Sequence, residues 1–200
     1  MNYPLTMTFK VLALAPQIFV RDANGTEIMY VKQKLFKLKE AINIFSDQSQ
    51  SRQIYAIKAD RIIDFSARYN FSDSQGMSLG AIKRRGMRSL WKASYDIFDG
   101  EQVVFHIQEE NAMIKVIDAL FGEIPVIGMF SGYVFNPAYL VTRPGSAGQP
   151  GPTVMRLSKQ PAFLETGFKV EKIDQTLSAK EEEQILLSLL MMTLLERSRG

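Results

Sequence analysis

Apolar and polar residues alternate with a short period through most of this chain and stop alternating altogether at its end. From Thr8 to about Glu109, short segments rich in Val, Ile, Phe and Tyr are separated by turn residues, the pattern of strands joined as hairpins. Strands are predicted over Phe9–Leu14, Ile18–Arg21, Glu27–Lys32, Ala41–Ser46, Gln53–Ala59, Ile62–Ser66, Arg68–Ser72, Ser78–Arg84, Leu90–Phe98 and Gln102–Gln108. Lys34–Glu40 carries mixed signals and reads as a short helical turn. Asn24-Gly25 and Asp99-Gly100 suit tight turns that need a positive φ, and Asp73–Gly76 is a further turn. Between Asn111 and Gly122, Met113, Ile114, Val116, Ile117, Leu120 and Phe121 recur at helical spacing. The glycine-punctuated run Ile124–Pro137 reads as an irregular cover on one end of the core. Tyr139–Thr142, Thr153–Leu157 and Phe163–Ile173 are the last strands, and Pro144–Pro152 is an exposed loop. No internal sequence repeat is visible.

The final segment behaves differently. Nine of the eleven residues from Ile185 to Leu195 are large and apolar, and the two exceptions, Ser188 and Thr193, mark no polar face. A helix that is apolar on every side must be buried on every side. Its start is marked by Ser178 and Glu181, a capping box, and Glu181, Glu182 and Glu183 suit the positive end of the helix dipole as Arg197 and Arg199 suit the other. Ser188 and Thr193 are expected to bond back to the carbonyls of Gln184 and Leu189. Eleven residues are too few for a membrane span of about 20. A dimerisation helix would show a heptad stripe instead.

These two textures together define a fold class. A helix with its side chains is roughly 10–12 Å across, whereas an eight-stranded barrel is filled by its own side chains. A sheet that encloses a helix therefore needs about eleven or twelve strands, and the strand candidates come near that number. The expected architecture is mainly β (α+β): a single domain over residues 1–200, a closed antiparallel barrel of about twelve strands around a buried hydrophobic C-terminal helix. An α/β sheet is the rival, but helices between strands are too few for crossovers.

Composition changes little. Hydrophobic content of 46% and charged content of 22% are those of an ordinary globular domain. A net charge of +3 permits an anionic partner without demanding one. The absence of cysteine removes disulfide and thiol chemistry. No secretory signal precedes Ala13-Leu14-Ala15, so a cytoplasmic location is expected, with peripheral contact to a membrane.

The opening hairpins carry a resemblance. Phe19-Val20-Arg21-Asp22-Ala23-Asn24-Gly25, Tyr30-Val31-Lys32-Gln33-Lys34 and Tyr55-Ala56-Ile57-Lys58 are similar to the LURP-one-related and phospholipid-scramblase-like branch of the tubby-like superfamily. The resemblance implies a tubby-like barrel over nearly the whole chain. For tubby domains it implies phosphoinositide binding through basic surface residues; for scramblases, lipid movement and palmitoylated cysteines, which this chain lacks. No family binding residue carries over to a numbered position.

Catalytic chemistry is scarce. His106 is the only histidine and reads as a polar face position on its strand, sharing that face with Val104 and Gln108. Asp22–Glu27 has its glycine too early for a calcium loop, Gly80–Gly86 lacks the order of a phosphate loop, and Asp60 with Asp64 reads as two exposed acids. No metal or cofactor is implied. The basic residues are the best lead. Lys32, Lys34, Lys37 and Lys39 surround Leu35-Phe36, and Lys83, Arg84, Arg85, Arg88 and Lys92 surround Met87 and Trp91. Lys32, Lys34, Lys83, Arg84, Arg85 and Arg88 are the candidate anionic-ligand residues, with Lys83 and Arg85 on one strand face. A solvated exterior that discourages edge pairing is the plain reading; contact with anionic lipid head groups is the sharper one. A scramblase-like membrane-associated protein, a protein-partner or nucleic-acid-linked regulatory domain, and an enzyme at the barrel mouth are the alternatives. The aromatics Phe121, Phe130, Tyr133, Phe135 and Tyr139 read as a packed cover.

Overall fold

Alternation along the strands, broken at several bulges, puts one row of side chains inward, and these rows form one core with the same helix. The computed structural model describes residues 1–10, 17–32, 42–61, 67–85, 94–110, 138–146, 149–160 and 166–197. Twelve antiparallel strands among them form a closed barrel: β1 (Leu5–Lys10), β2 (Gln17–Arg21), β3 (Glu27–Lys32), β4 (Ile42–Phe45), β5 (Gln53–Ala59), β6 (Arg68–Asp73), β7 (Ser78–Arg84), β8 (Ser94–Asp99), β9 (Gln102–Glu109), β10 (Ala138–Thr142), β11 (Thr153–Gln160) and β12 (Thr166–Lys172). Each strand pairs with its neighbours in sequence, and β1 pairs with β12 to close the ring, Leu5 opposite Val170 and Phe9 opposite Thr166. Closure leaves no unpaired edge.

The helix α1 (Ala179–Arg197) runs through the barrel, and every residue from Gln184 to Leu195 is buried. Leu5, Met7 and Phe9 of β1, Ile18 and Val20 of β2, Ile42 and Ile44 of β4, and their counterparts on the other strands form one continuous core with it. The capping box is present: the Ser178 amide donates to Glu181 Oε2 at 2.8 Å and the Glu181 amide to Ser178 Oγ at 3.3 Å. Ser188 donates to the Gln184 carbonyl at 2.7 Å, as expected. Thr193 instead donates to Leu190, at 2.8 Å, and faces Met7 Sδ at 3.7 Å, one carbonyl away from the expected partner.

The first strand begins earlier than the sequence pattern places it. Leu5, Met7 and Phe9 are its inner face, and Thr6 and Thr8 its outer one, so the threonines that look like a polar lead-in are strand positions. The predicted strand over Ile62–Ser66, the short turn over Lys34–Glu40, the helix from Asn111 to Gly122 and the cover Ile124–Pro137 lie outside the described residues.

A structural unit recurs that is visible in the sequence only at its turns. The first four even-to-odd connections each have an aspartate at their start: Asp22, Asp47, Asp73 and Asp99. Asp22 Oδ1 accepts from the amides of Asn24 and Thr26, Asp47 Oδ1 from Ser49, and Asp73 Oδ1 from Gln75 and Met77. Three residues on from these, Gly25, Gln50 and Gly76 take positive φ, the conformation in which a carboxylate-stapled turn reverses the chain. These turns gather at the end of the barrel where α1 starts. Ion pairs at 2.6 to 2.8 Å tie the helix to that end: Lys180 to Asp99, Lys172 to Glu182, and Arg143 to Glu181.

Candidate anionic-ligand surface

The up-and-down topology sends every odd-numbered strand toward the helix C-terminus, so the last residues of those strands form one rim. Lys10, Lys32 and Lys58 stand near that rim on β1, β3 and β5, and Lys83 and Arg85 at the end of β7. Strand register fixes their side. Lys83 lies opposite Arg68 and Asp96, on the outer face. Lys32 follows the inward Val31 and is exposed. Lys58 follows the inward Ile57 and is exposed.

Not all of these charges are equal. Arg68 crosses β7 to stack over the Phe98 ring at 4.8 Å, bonds the Gly100 carbonyl, and meets Glu101 at 2.9 Å, so its charge is consumed within the sheet. Arg85 lies 3.8 Å from Asp96, a loose pair. Lys10 rests over the Phe19 ring at 5.0 Å. Lys32, Lys58 and Lys83 have no ion pair within 4.0 Å among the described residues. Partial burial pushes the Asp60 carboxyl upward, but the Arg68 amide, Arg61 and nearby Lys83 outweigh it and hold it below the ordinary range. Asp60 is thus a hydrogen-bonded anion at this rim, whereas its suggested companion Asp64 lies outside the described residues.

The six cations chosen from the sequence therefore divide. Lys32, Lys83 and Arg85 are on the outer rim. Arg84 lies opposite Tyr95, whose ring is buried inside the barrel, so Arg84 belongs to the inner face; it opposes the rise in the Tyr95 phenol pKa. Lys34 and Arg88 lie outside the described residues, as do Lys37, Lys39, Met87, Trp91 and Lys92. Three strands separate Lys32 from Lys83, about 19 Å around the wall at the usual strand spacing, so they are not one patch; Lys58 stands between them. Lys58 has no cationic neighbour in sequence and gives no signal there. Only the barrel's alternation of direction brings it beside the others.

His106 sits on the outer face with Nδ1 2.6 Å from Asp96 Oδ1, a paired polar position as expected. No serine, threonine or cysteine side chain joins the pair among the described residues. No group of His, Cys, Asp and Glu able to hold a metal occurs among them either. No described helix is long and apolar enough to cross a membrane. Of the five aromatics read as a cover, Tyr139 packs against the core and the other four lie outside the described residues.

Neither the curated proteins nor the solved structures include a match to this chain. A family does match: the LURP-one-related proteins, over residues 27–131, from the start of β3 through β9 and beyond. With more than half of its length matched and a twelve-stranded barrel closed around a C-terminal helix, the chain belongs to the LURP-one-related family and has the tubby-like fold of that superfamily.

Proposed function

We propose that this protein is a non-enzymatic binding module whose basic rim engages an anionic surface, a membrane bearing acidic phospholipid. One observation carries this reading: charge is separated along the barrel axis. The end where α1 begins holds Asp22, Asp47, Asp73 and Asp99 in its turns and Glu181, Glu182 and Glu183 in the helix, which outnumber the Arg143, Lys172 and Lys180 paired with them there. The opposite rim holds Lys32, Lys58 and Lys83, which make no ion pair among the described residues. A net charge of +3 understates this, because the acidic end offsets a more basic one. Such an axial dipole orients the molecule toward an anionic surface within a Debye length, about 8 Å at physiological salt.

Liposome flotation over a salt series tests it. The protein is expected to float with vesicles containing phosphatidylserine and not with phosphatidylcholine alone, and to be released by salt. Each lysine near such a surface is worth about 1 kcal/mol, so Lys32→Ala, Lys58→Ala and Lys83→Ala should each weaken binding by about fivefold. Lys180→Ala, at the acidic end, should leave it unchanged. Flotation indifferent to lipid charge or to salt, or lost equally in Lys180→Ala, overturns the reading.

A further inference from the structure

Among the described residues, the inside of the barrel is not filled to its rim. Beside the last turn of α1, under the ends of β10, β11 and β12, lies a cavity of about 350 Å³. Phe168 and Met192 give it an apolar wall. Two cations stand at its edge. Lys159 lies opposite Phe168 on the neighbouring strand, and has no ion pair among the described residues. Arg197 lays its guanidinium over the Phe9 ring at 4.9 Å, and its Nη1 is buried with no hydrogen-bond acceptor among the described residues. Burial pulls the Arg197 pKa down. The one acid of the lining, Glu196, accepts from the Tyr95 hydroxyl at 2.5 Å. Tyr139, whose pKa burial and then Glu196 and Glu109 push up to about 12, keeps its phenolic proton and remains a donor at the same wall.

An unmet guanidinium nitrogen in a partly desolvated site is costly, and a structural role for Arg197 does not need it, since the helix dipole is satisfied by the charge wherever its fork points. We propose that this cavity is a binding site for a small amphiphilic anion, a carboxylate or phosphate monoester on a medium-length apolar chain. The anionic head would accept hydrogen bonds from Arg197 Nη1 and the Lys159 ammonium, and the chain would lie along Phe168 and Met192. The volume falls near the lower end of ordinary ligand sites, about 300–1,000 Å³, which favours a short chain over a whole lipid. This site is on the inner face, uses none of the outer lysines, and stands whether or not the rim binds membranes.

Isothermal titration calorimetry on the full chain with sodium octanoate, octyl phosphate and 1-octanol tests it. Saturable one-to-one binding is expected for at least one of the two anions, and which of them binds identifies the head group. Octanol should bind at least tenfold more weakly. Lys159→Gln should lower affinity by about tenfold, the loss of one charge-assisted hydrogen bond, and Arg197→Gln by at least as much. Lys159 is half-exposed on a strand, so Lys159→Gln decides the matter if Arg197→Gln disturbs the helix end. Lys83→Glu should bind as the parent does. No saturable heat with either anion, octanol binding as tightly as the anions, or wild-type affinity in Lys159→Gln overturns the proposal.

Discussion

Gly80 is a point where the barrel wall approaches the helix closely. Its φ is +118°, and a Cβ built there would stand 2.4 Å from the Phe98 carbonyl oxygen and 3.0 Å from Gln184 Nε2. Backbone oxygen cannot retreat without breaking the β7–β8 ladder. Gly80→Ala should therefore cost about 2–4 kcal/mol, strain plus overpacking, read as a fall in urea midpoint. Gly25→Ala has a positive φ but open space around it, and should cost only about 1 kcal/mol; equal losses in the two would refute the contact argument. At this scale the sequence is legible where the interaction is local. The Ser178–Glu181 box and the Ser188 bond span three and four residues and follow from helix geometry. Gly80 is not legible, because its partners come from another strand and the helix. Arg84 misleads for a related reason: alternation from Ile82 points it inward, but a cation at an inner position reads as surface until the end of the barrel is located.

The helix is the element on which the barrel is built. Leu190 is fully buried at its middle, surrounded by strands that cannot collapse inward without breaking closure. Leu190→Ala is expected to cost about 2–5 kcal/mol, transfer plus cavity. Ending the chain at Leu177 should abolish cooperative folding altogether; a soluble truncated protein with a sharp thermal transition would show that the strands can close without their filling. The element is legible because a helix apolar all round is too greasy for solvent and, at that length, too short for a bilayer, which leaves only the core. Strand ends are less so. β1 begins at Leu5 because Thr6 and Thr8 tolerate the outer face, and hydroxyl residues give no signal that separates an outer strand position from a lead-in.

Across the whole molecule, a pair of partly buried tyrosines stands at each end of the helix. Tyr3 and Tyr55 meet Glu182 and Glu183 where α1 starts, and Tyr95 and Tyr139 meet Glu196 where it stops. Burial first, and the nearby carboxylates second, raise all four phenol pKa values, that of Tyr139 to about 12. Unfolded tyrosine titrates near 10.0, so above that pH the unfolded chain sheds protons that the folded one keeps. Stability from these groups is full below about pH 10 and lost progressively above it. The urea midpoint should hold between about pH 7 and 9 and fall steeply toward about pH 11 to 12, with tyrosinate absorbance appearing together with unfolding. Phenols that titrate at their ordinary value with the fold intact would contradict this. The barrel itself is readable from strand count and helix width, but the axial charge separation is not, since it depends on which end each strand points to. That up-and-down order has one more consequence. β12 and α1 leave the ribosome after every other element of the barrel, so while the earlier strands are being synthesised they have neither the partner that closes the ring nor the rod that fills it. Until β12 and α1 have emerged, the nascent chain carries a sheet that is neither closed nor filled, so this barrel is expected to fold only after α1 has left the ribosome.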